Sequence, residues 1–395
     1  MDPSRFLQTS YSLPVGFGAG AFSIRETRTP GASVSGAAGA ADAAAVETKD
    51  ETENPIEAED INLRVLDGAC RALRYPAGLI AALKAGLEGI QVHRELGEGG
   101  MPQVFLVELP RLYDSPVVLK LCRYDGKTTN VQTGYTSQRH GGEVLGLRLK
   151  GSPYLLQTLG ILVLNARQQL EFVIDPMDKK ATDGVVLGVF TEYVEKTEDL
   201  LEMIMAGKVD TAEKAHHIAT TVGLGLYHLH THFDLAHRDI KPENVLVDTE
   251  FNTKIIDYGF LRELVRTTSE VGTPDYVAPE VIFSDEKSYD PMLADAFSFA
   301  SLLFTTRFQS FWNPCSGAAD LSISLDFLLS YFKGNGKMSD YIPKGEKPLN
   351  AKDGELFDLI EKLSLGNLEE RWSVARAVEG HPFFREVTAP PESEI

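Results

Sequence analysis

Between His237 and Asn244 the chain reads His-Arg-Asp-Ile-Lys-Pro-Glu-Asn, which sets the carboxylate of Asp239, the ammonium of Lys241 and the amide of Asn244 close together. Thirteen residues beyond Asn244 stands Asp257, within Asp257-Tyr258-Gly259. Far upstream, Lys120 ends the apolar stretch Val117-Val118-Leu119, behind the glycine-rich Leu96-Gly97-Glu98-Gly99-Gly100. These residue types suit a reaction governed by positioning and charge neutralisation. Carboxylate and amide oxygens are hard ligands, which magnesium prefers to nitrogen or sulfur. A lysine stabilises negative charge in flight. Glycines let backbone N–H groups approach a phosphate closely.

Groups so far apart in the chain act together only if secondary structure brings them there. Val104 to Leu109 and Pro116 to Cys122 are short, apolar and β-branched, separated by a polar, Pro-containing turn, and predict two strands. A helix is expected around Gln138 to Lys150, then two further strands around Leu155 to Asn165 and Gly184 to Tyr193. From Asp199 onward the pattern turns helical, with amphipathic windows at Asp210 to Phe233, Asp290 to Thr306 and Gly354 to Leu365. A small strand-rich lobe followed by a larger helical lobe is the architecture this order predicts. No internal repeat is present.

The first sixty residues differ from the rest. Gly31 to Val46 is almost entirely Gly, Ala and Ser, and Glu47 to Asp60 is dense in acid. Such a segment buries too little apolar surface to offset its ordering entropy and is expected to be disordered. From Ile61 to Gly89 apolar residues recur at helical spacing, which predicts one or two helices packing on the main domain.

Composition narrows the function classes. The 395 residues are 43% hydrophobic, enough for a sizeable core. A net charge of -19 argues against binding nucleic acid or anionic membrane. The three cysteines, Cys70, Cys122 and Cys315, form no CxxC pair, so a structural zinc site is not expected. No apolar run is long enough to span a membrane, and Met1 to Ser10 lacks the order of a signal peptide.

In sequence order, His237 to Asn244, Asp257-Tyr258-Gly259, Gly272-Thr273-Pro274 and Ala278-Pro279-Glu280 resemble the catalytic loop, magnesium motif and activation segment of eukaryotic protein kinases. The resemblance spans Arg94 to Phe384. It implies an α+β, bilobal fold with a small antiparallel sheet lobe carrying one main helix, and a larger helical lobe. It also implies a transferase that passes the γ-phosphate of Mg-ATP to serine or threonine hydroxyls, with ATP and Mg2+ as cofactors. Asp239 would orient the attacking hydroxyl and accept its proton, Lys241 would stabilise the transferred phosphate, and Asn244 and Asp257 would ligate magnesium. Lys120 would reach the α- and β-phosphates, paired with Glu143. Gly97 and Gly99 would cover the phosphates, with Val104 and Leu246 packing on adenine. Pro102 stands where the family's third glycine belongs, and it lacks an N–H to donate. Val118 occupies the usual place of an alanine, and Ala300 that of a glycine in the helix opened by Asp295. Arg371 is expected to pair with Glu280.

Val189 to Val194 resembles the hinge, where the backbone of Glu192 and Val194 would bond the adenine edge and Thr191 would guard the back pocket. Glu198 or Asp199 would meet the ribose hydroxyls, or else serve as a carboxylate at a helix N-terminus. Arg238 would need an anion that a phosphorylated activation segment could supply, from Thr267, Thr268 or Ser269. Lys241 and Gly272-Thr273-Pro274 resemble the serine/threonine class, and Glu243 and Glu198 sit where some members contact substrate arginine. The expected organisation is a disordered segment over 1–60, a helical extension over 61–93, a small lobe over 94–191, a large lobe over 192–386 and a tail over 387–395. The expected partners are protein substrates, with basic sequences preferred, and no nucleic acid or membrane; the expected state is a monomer. A pseudokinase is favoured by Pro102 and Tyr258 but opposed by the retained Lys120, Asp239, Asn244 and Asp257. A small-molecule kinase is opposed by the activation segment. The helical segment before the glycine-rich loop, the long span from Lys120 to Glu143 and the residues between Asn165 and Gly184 resemble the secreted rhoptry kinases of apicomplexan parasites. That placement implies secretion into a host cell; otherwise the cytoplasm is expected.

Overall fold

The computed structural model describes residues 55–96, 103–127, 141–175, 183–264, 266–283, 288–316 and 321–385. The expectations for 1–54, for the glycine-rich loop with Gly97, Gly99 and Pro102, and for the tail over 387–395 lie outside the described residues. Helix α1 (Pro55–Ala72) begins inside the segment expected to be disordered. Proline suits such a start, since the N–H it lacks would be unpaired in a first turn anyway.

Helix α2 (Ala77–Gly86) follows, then β1 (Gln91–Glu95), β2 (Gln103–Glu108) and β3 (Val117–Leu121). Next come a 3₁₀ helix (Gly141–Arg148), β4 (Thr158–Asn165), β5 (Leu170–Val173) and β6 (Gly184–Glu192). The six strands form one antiparallel sheet in the order β1-β2-β3-β6-β4-β5. Two strands exceed the sequence expectation. β5 lies in the stretch between Asn165 and Gly184, and β1 opens three residues before the expected boundary at Arg94.

Alternation in β3 sends Leu119 and Leu121 to one sheet face and Lys120 to the other. The first face is covered by α1 and α2: Leu66, Cys70, Leu73, Leu79 and Leu83 share one core with Phe105, Leu119, Leu121, Leu187 and Phe190. The helices ahead of the sheet are therefore part of the small lobe's interior. Tyr75, between them, donates its hydroxyl toward Cys122 O (2.7 Å) and Leu187 O (2.6 Å). On the opposite face, Val144 and Leu147 of the 3₁₀ helix pack on Ile161, Val163, Val186 and Val189. β6 is buried on both faces, which explains its unbroken apolar run.

The helix expected around Gln138 to Lys150 is thus a short 3₁₀ segment, with residues 128–140 outside the described set. Gly141, Gly142 and Gly146 give it poor α-helical propensity. In 3₁₀ geometry residues i and i+3 eclipse, so Leu147 lines up with Val144.

The large lobe opens with β7 (Glu198–Asp199), α3 (Leu200–Met205) and the long α4 (Ala212–Thr231). Short strands β8 (Leu235–Ala236), β9 (Val245–Val247), β10 (Thr253–Ile255) and β11 (Arg262–Glu263) carry the loops of interest. Helices α5 (Pro279–Phe283), α6 (Pro291–Phe308), α7 (Leu321–Lys333), α8 (Ala351–Ser364) and α9 (Val374–Gly380) complete it. α6 is buried along nearly its whole length, with Phe297, Phe299, Ala300 and Phe304 inaccessible, and it is the lobe's spine. Asp290 caps its N-terminus through Met292 N (2.9 Å) and Leu293 N (3.4 Å).

Candidate active site

The loop after β8 is held from below. Asp295, fully buried on α6, accepts hydrogen bonds from His237 N (2.7 Å) and Arg238 N (2.7 Å), with His230 Nε2 at 3.0 Å. His237 ties the loop to the residue after β10, its Nε2 lying 2.9 Å from Ile256 O while its Nδ1 accepts Asp239 N–H at 3.3 Å. Arg371 grips Glu280 with both terminal nitrogens, at 2.6 and 3.2 Å, and fastens the segment that follows.

On that floor, Asp239, Lys241 and Asn244 converge. Asn244 Nδ2 donates to Asp239 O (2.8 Å) and Oδ2 (3.2 Å). Lys241 Nζ lies 3.4 Å from Asp239 Oδ2. The hydroxyl of Thr273 sits between them, donating to Asp239 Oδ1 at 2.8 Å and accepting from Lys241 Nζ at 3.0 Å. The sequence offered Thr273 only as part of a class-marking tripeptide; its contact with Asp239 spans 34 residues. Burial weighs against charge on Lys241, but Asp239, Glu243 and Asp257 outweigh it and raise its pKa.

Lys120 joins the lobes. Its Nζ lies 2.6 Å from Glu143 Oε1 and 2.5 Å from Asp257 Oδ1. Burial alone would lower the pKa of the ammonium; the carboxylates of Asp257 and Glu143 more than offset it and raise it above the ordinary lysine value. Asp257 takes a left-handed backbone conformation, φ 62°, which turns its carboxylate to this lysine. Val104 pairs across from Lys120 in the β2–β3 ladder.

A magnesium ion bound with ATP calls for hard oxygens at this point. With its amide nitrogen engaged by Asp239, Asn244 keeps its oxygen for a cation, and Asp257 presents a partly exposed carboxylate. The donor set fits.

The hinge residues follow β6. Glu192 accepts from Lys254 Nζ (2.9 Å) and Gln157 N (2.8 Å), so its side chain braces the lobe junction; its own N–H goes to Gln157 O. Its carbonyl accepts the Thr191 hydroxyl at 3.3 Å, and the Val194 carbonyl accepts the Thr197 hydroxyl at 3.1 Å. Glu198 is ion-paired with Lys208. Asp199 caps α3 by accepting Glu202 N–H at 2.8 Å, the helix-terminal role weighed above. Leu246 pairs with Asp199 across β7 and β9.

The three hydroxyls of the activation segment separate. Thr267 is buried, 3% exposed, and bridges to Tyr289 through its backbone, so it is inaccessible to a modifying enzyme. Thr268 is exposed, while Ser269 Oγ lies 3.4 Å from Arg262 Nη1. Arg238 gives its Nε to Phe260 O (2.8 Å), and its buried Nη1 has no hydrogen-bond partner. Glu243 likewise has a buried Oε2 without a partner.

The family model described as protein kinase domain matches residues 90–384. Among curated proteins, the chain is 32% identical over 176 residues to a cAMP-dependent protein kinase catalytic subunit of Arthrobotrys oligospora, covering 43% of this chain and 30% of that one. It is 30% identical over 221 residues to the serine/threonine-protein kinase cds1 of Schizosaccharomyces pombe, covering 52% and 44%. It is 30% identical over 210 residues to the cAMP-dependent protein kinase type 3 of Saccharomyces cerevisiae, covering 50% and 45%. In each case the matched stretch spans less than half the relative's length.

Proposed function

The chain belongs to the protein kinase domain family, and from that premise we propose that it is a serine/threonine protein kinase using Mg-ATP. The observation that carries this reading is the assembled triad of Lys120, Glu143 and Asp257 above an intact Asp239, Lys241 and Asn244. A pseudokinase would have no need of all six in register. When bound, magnesium neutralises the nucleotide's phosphate charge. Lys120 would hold the α- and β-phosphates, Asn244 and Asp257 would hold the metal, and Asp239 would orient the acceptor hydroxyl and receive its proton. Lys241 stabilises the developing charge. The adenine edge meets the Glu192 carbonyl and the Val194 backbone, between Val104 and Leu246. Glu198 approaches the ribose once it leaves Lys208.

Basic substrate sequences are supported by the unpartnered, buried Glu243 Oε2, which an incoming guanidinium would satisfy. Ser269 is the phosphorylation site the surroundings favour, since a phosphate there meets Arg262 and the unpaired Nη1 of Arg238. Among the described residues no helix is long and apolar enough to cross a membrane. The α1–α2 pair supports the rhoptry-kinase resemblance and hence delivery into a host cell.

Radiolabel transfer from Mg-[γ-³²P]ATP to a generic basic protein tests the reading. Wild-type protein should label serine and threonine, and Asp239→Asn should lower transfer by two orders of magnitude or more while still binding nucleotide. Equal transfer by both proteins would overturn it.

A further inference from the structure

Strand β1 breaks its alternation beside the nucleotide site. Gln91 and Val92 pair with Glu108 and Val107, but the register then slips by one, so that Arg94 pairs with Leu106 and Glu95 with Phe105. His93 is the extra residue of a β-bulge, and its Nε2 lies 3.0 Å from Glu108 Oε1 on the strand opposite. Residues directly opposite each other in neighbouring strands share a sheet face. Val92, Phe105 and Val107 pack in the core under α1 and α2, whereas Val104 and Leu106 lie on the face of Lys120. An unbroken strand would send Arg94 to the core with Val92. The bulge turns it to the nucleotide side instead.

There Arg94 Nη2 donates to the Tyr193 hydroxyl at 3.0 Å, across 99 residues of chain and in contact with solvent. Tyr193 stands between Glu192 and Val194 in the hinge. We infer that Arg94 and Tyr193 are a positioning pair that clasps the outer rim of the adenine site and slows nucleotide release. The inference rests on the Mg-ATP reading above, which sets adenine against the hinge and beneath Val104. The bond runs from the strand that enters the glycine-rich loop to the hinge itself. A nucleotide held between the two leaves faster when they are free to part.

The test follows release of the Mg2+ complex of N-methylanthraniloyl-ADP from native protein, Arg94→Gln, Tyr193→Phe and the double variant. Each single change should speed release roughly two- to fivefold, the size of one exposed hydrogen bond. The double variant should be no faster than either, because the first change already breaks the pair. The Michaelis constant for ATP should rise by a similar factor, while a single turnover at saturating ATP keeps its rate. Arg94→Lys, which can still donate to the Tyr193 hydroxyl, should restore part of the native release rate. Unchanged release in either single variant, effects that multiply in the double, or a slowed single turnover would overturn this inference alone. Failure of native protein to bind the Mg-nucleotide would overturn the ATP reading and this inference with it.

Discussion

If Glu243 receives a substrate guanidinium as proposed, that contact is tied to pH. Burial raises its pKa, only partly countered by Lys241. The carboxylate that would attract a substrate guanidinium is therefore present above that raised value and lost as pH falls through it. The Michaelis constant for an arginine-containing peptide should fall as pH rises through that raised value, by an order of magnitude at most if one charge-assisted bond is at stake. Glu243→Gln should remove that dependence while a peptide lacking arginine shows none in either protein. The same residue scale explains why Asp199 and Glu198 cannot be assigned from type alone. Both are carboxylates beside a helix start, but one is spent on capping α3 and the other is paired with Lys208.

The 3₁₀ helix Gly141–Arg148 is the element on which the site depends most. A Cβ on Gly142 would run into the Tyr258 carbonyl oxygen and lie 2.5 Å from Leu261 N, both of them backbone. A Cβ on Gly146 would lie 2.6 Å from the Thr158 hydroxyl and 3.0 Å from the Tyr258 ring. Glycine there lets the helix press against the magnesium motif, so that Glu143 reaches Lys120. Gly142→Ala should displace the helix, lower the melting temperature and reduce kcat/KM by at least tenfold, in line with removing a positioning contact. Gly78→Ala is the control: nothing lies within 4 Å of its Cβ, and in α2 the change should raise stability by about 0.5–1 kcal/mol. Thermal melts and steady-state kinetics on both variants decide it.

For the whole molecule, the covering of the sheet by α1 and α2 is decisive. Leu66, Leu73, Leu79, Leu83 and Leu87 are all buried there. At about 1.5–3 kcal/mol for each fully buried side chain, their loss would rival the 5–15 kcal/mol by which a typical domain is stable. A chain starting at Gln91 keeps Lys120, Asp239, Asn244 and Asp257 yet exposes Phe105, Leu119 and Leu187. It should be insoluble or melt far below the full chain. A truncated protein that melts alongside the full-length one would show that the helices are dispensable.

The loop of the candidate site was legible in the sequence because it depends on residue type at short spacing. His237 to Asn244 is one loop, and Asp257 lies a single hairpin away, so a linear reading reaches both. Lobe order and the strands β2, β3, β4 and β6 were legible for a related reason: alternation and apolar runs are local consequences of burial. What required the tertiary structure was whatever depends on close approach between distant segments. Lys120 meets Asp257 across 137 residues, and only packing determines that the helix between them is 3₁₀, pressed home by two glycines. Burial also separated residues of identical type, sealing Thr267 away while leaving Thr268 exposed. The Tyr258 hydroxyl likewise finds Leu156 O and Ile255 O, about a hundred residues apart in the chain, only in the folded molecule. Hydrogen-bond partners that far apart are set by the shape of the assembled core, which no local pattern of residues encodes.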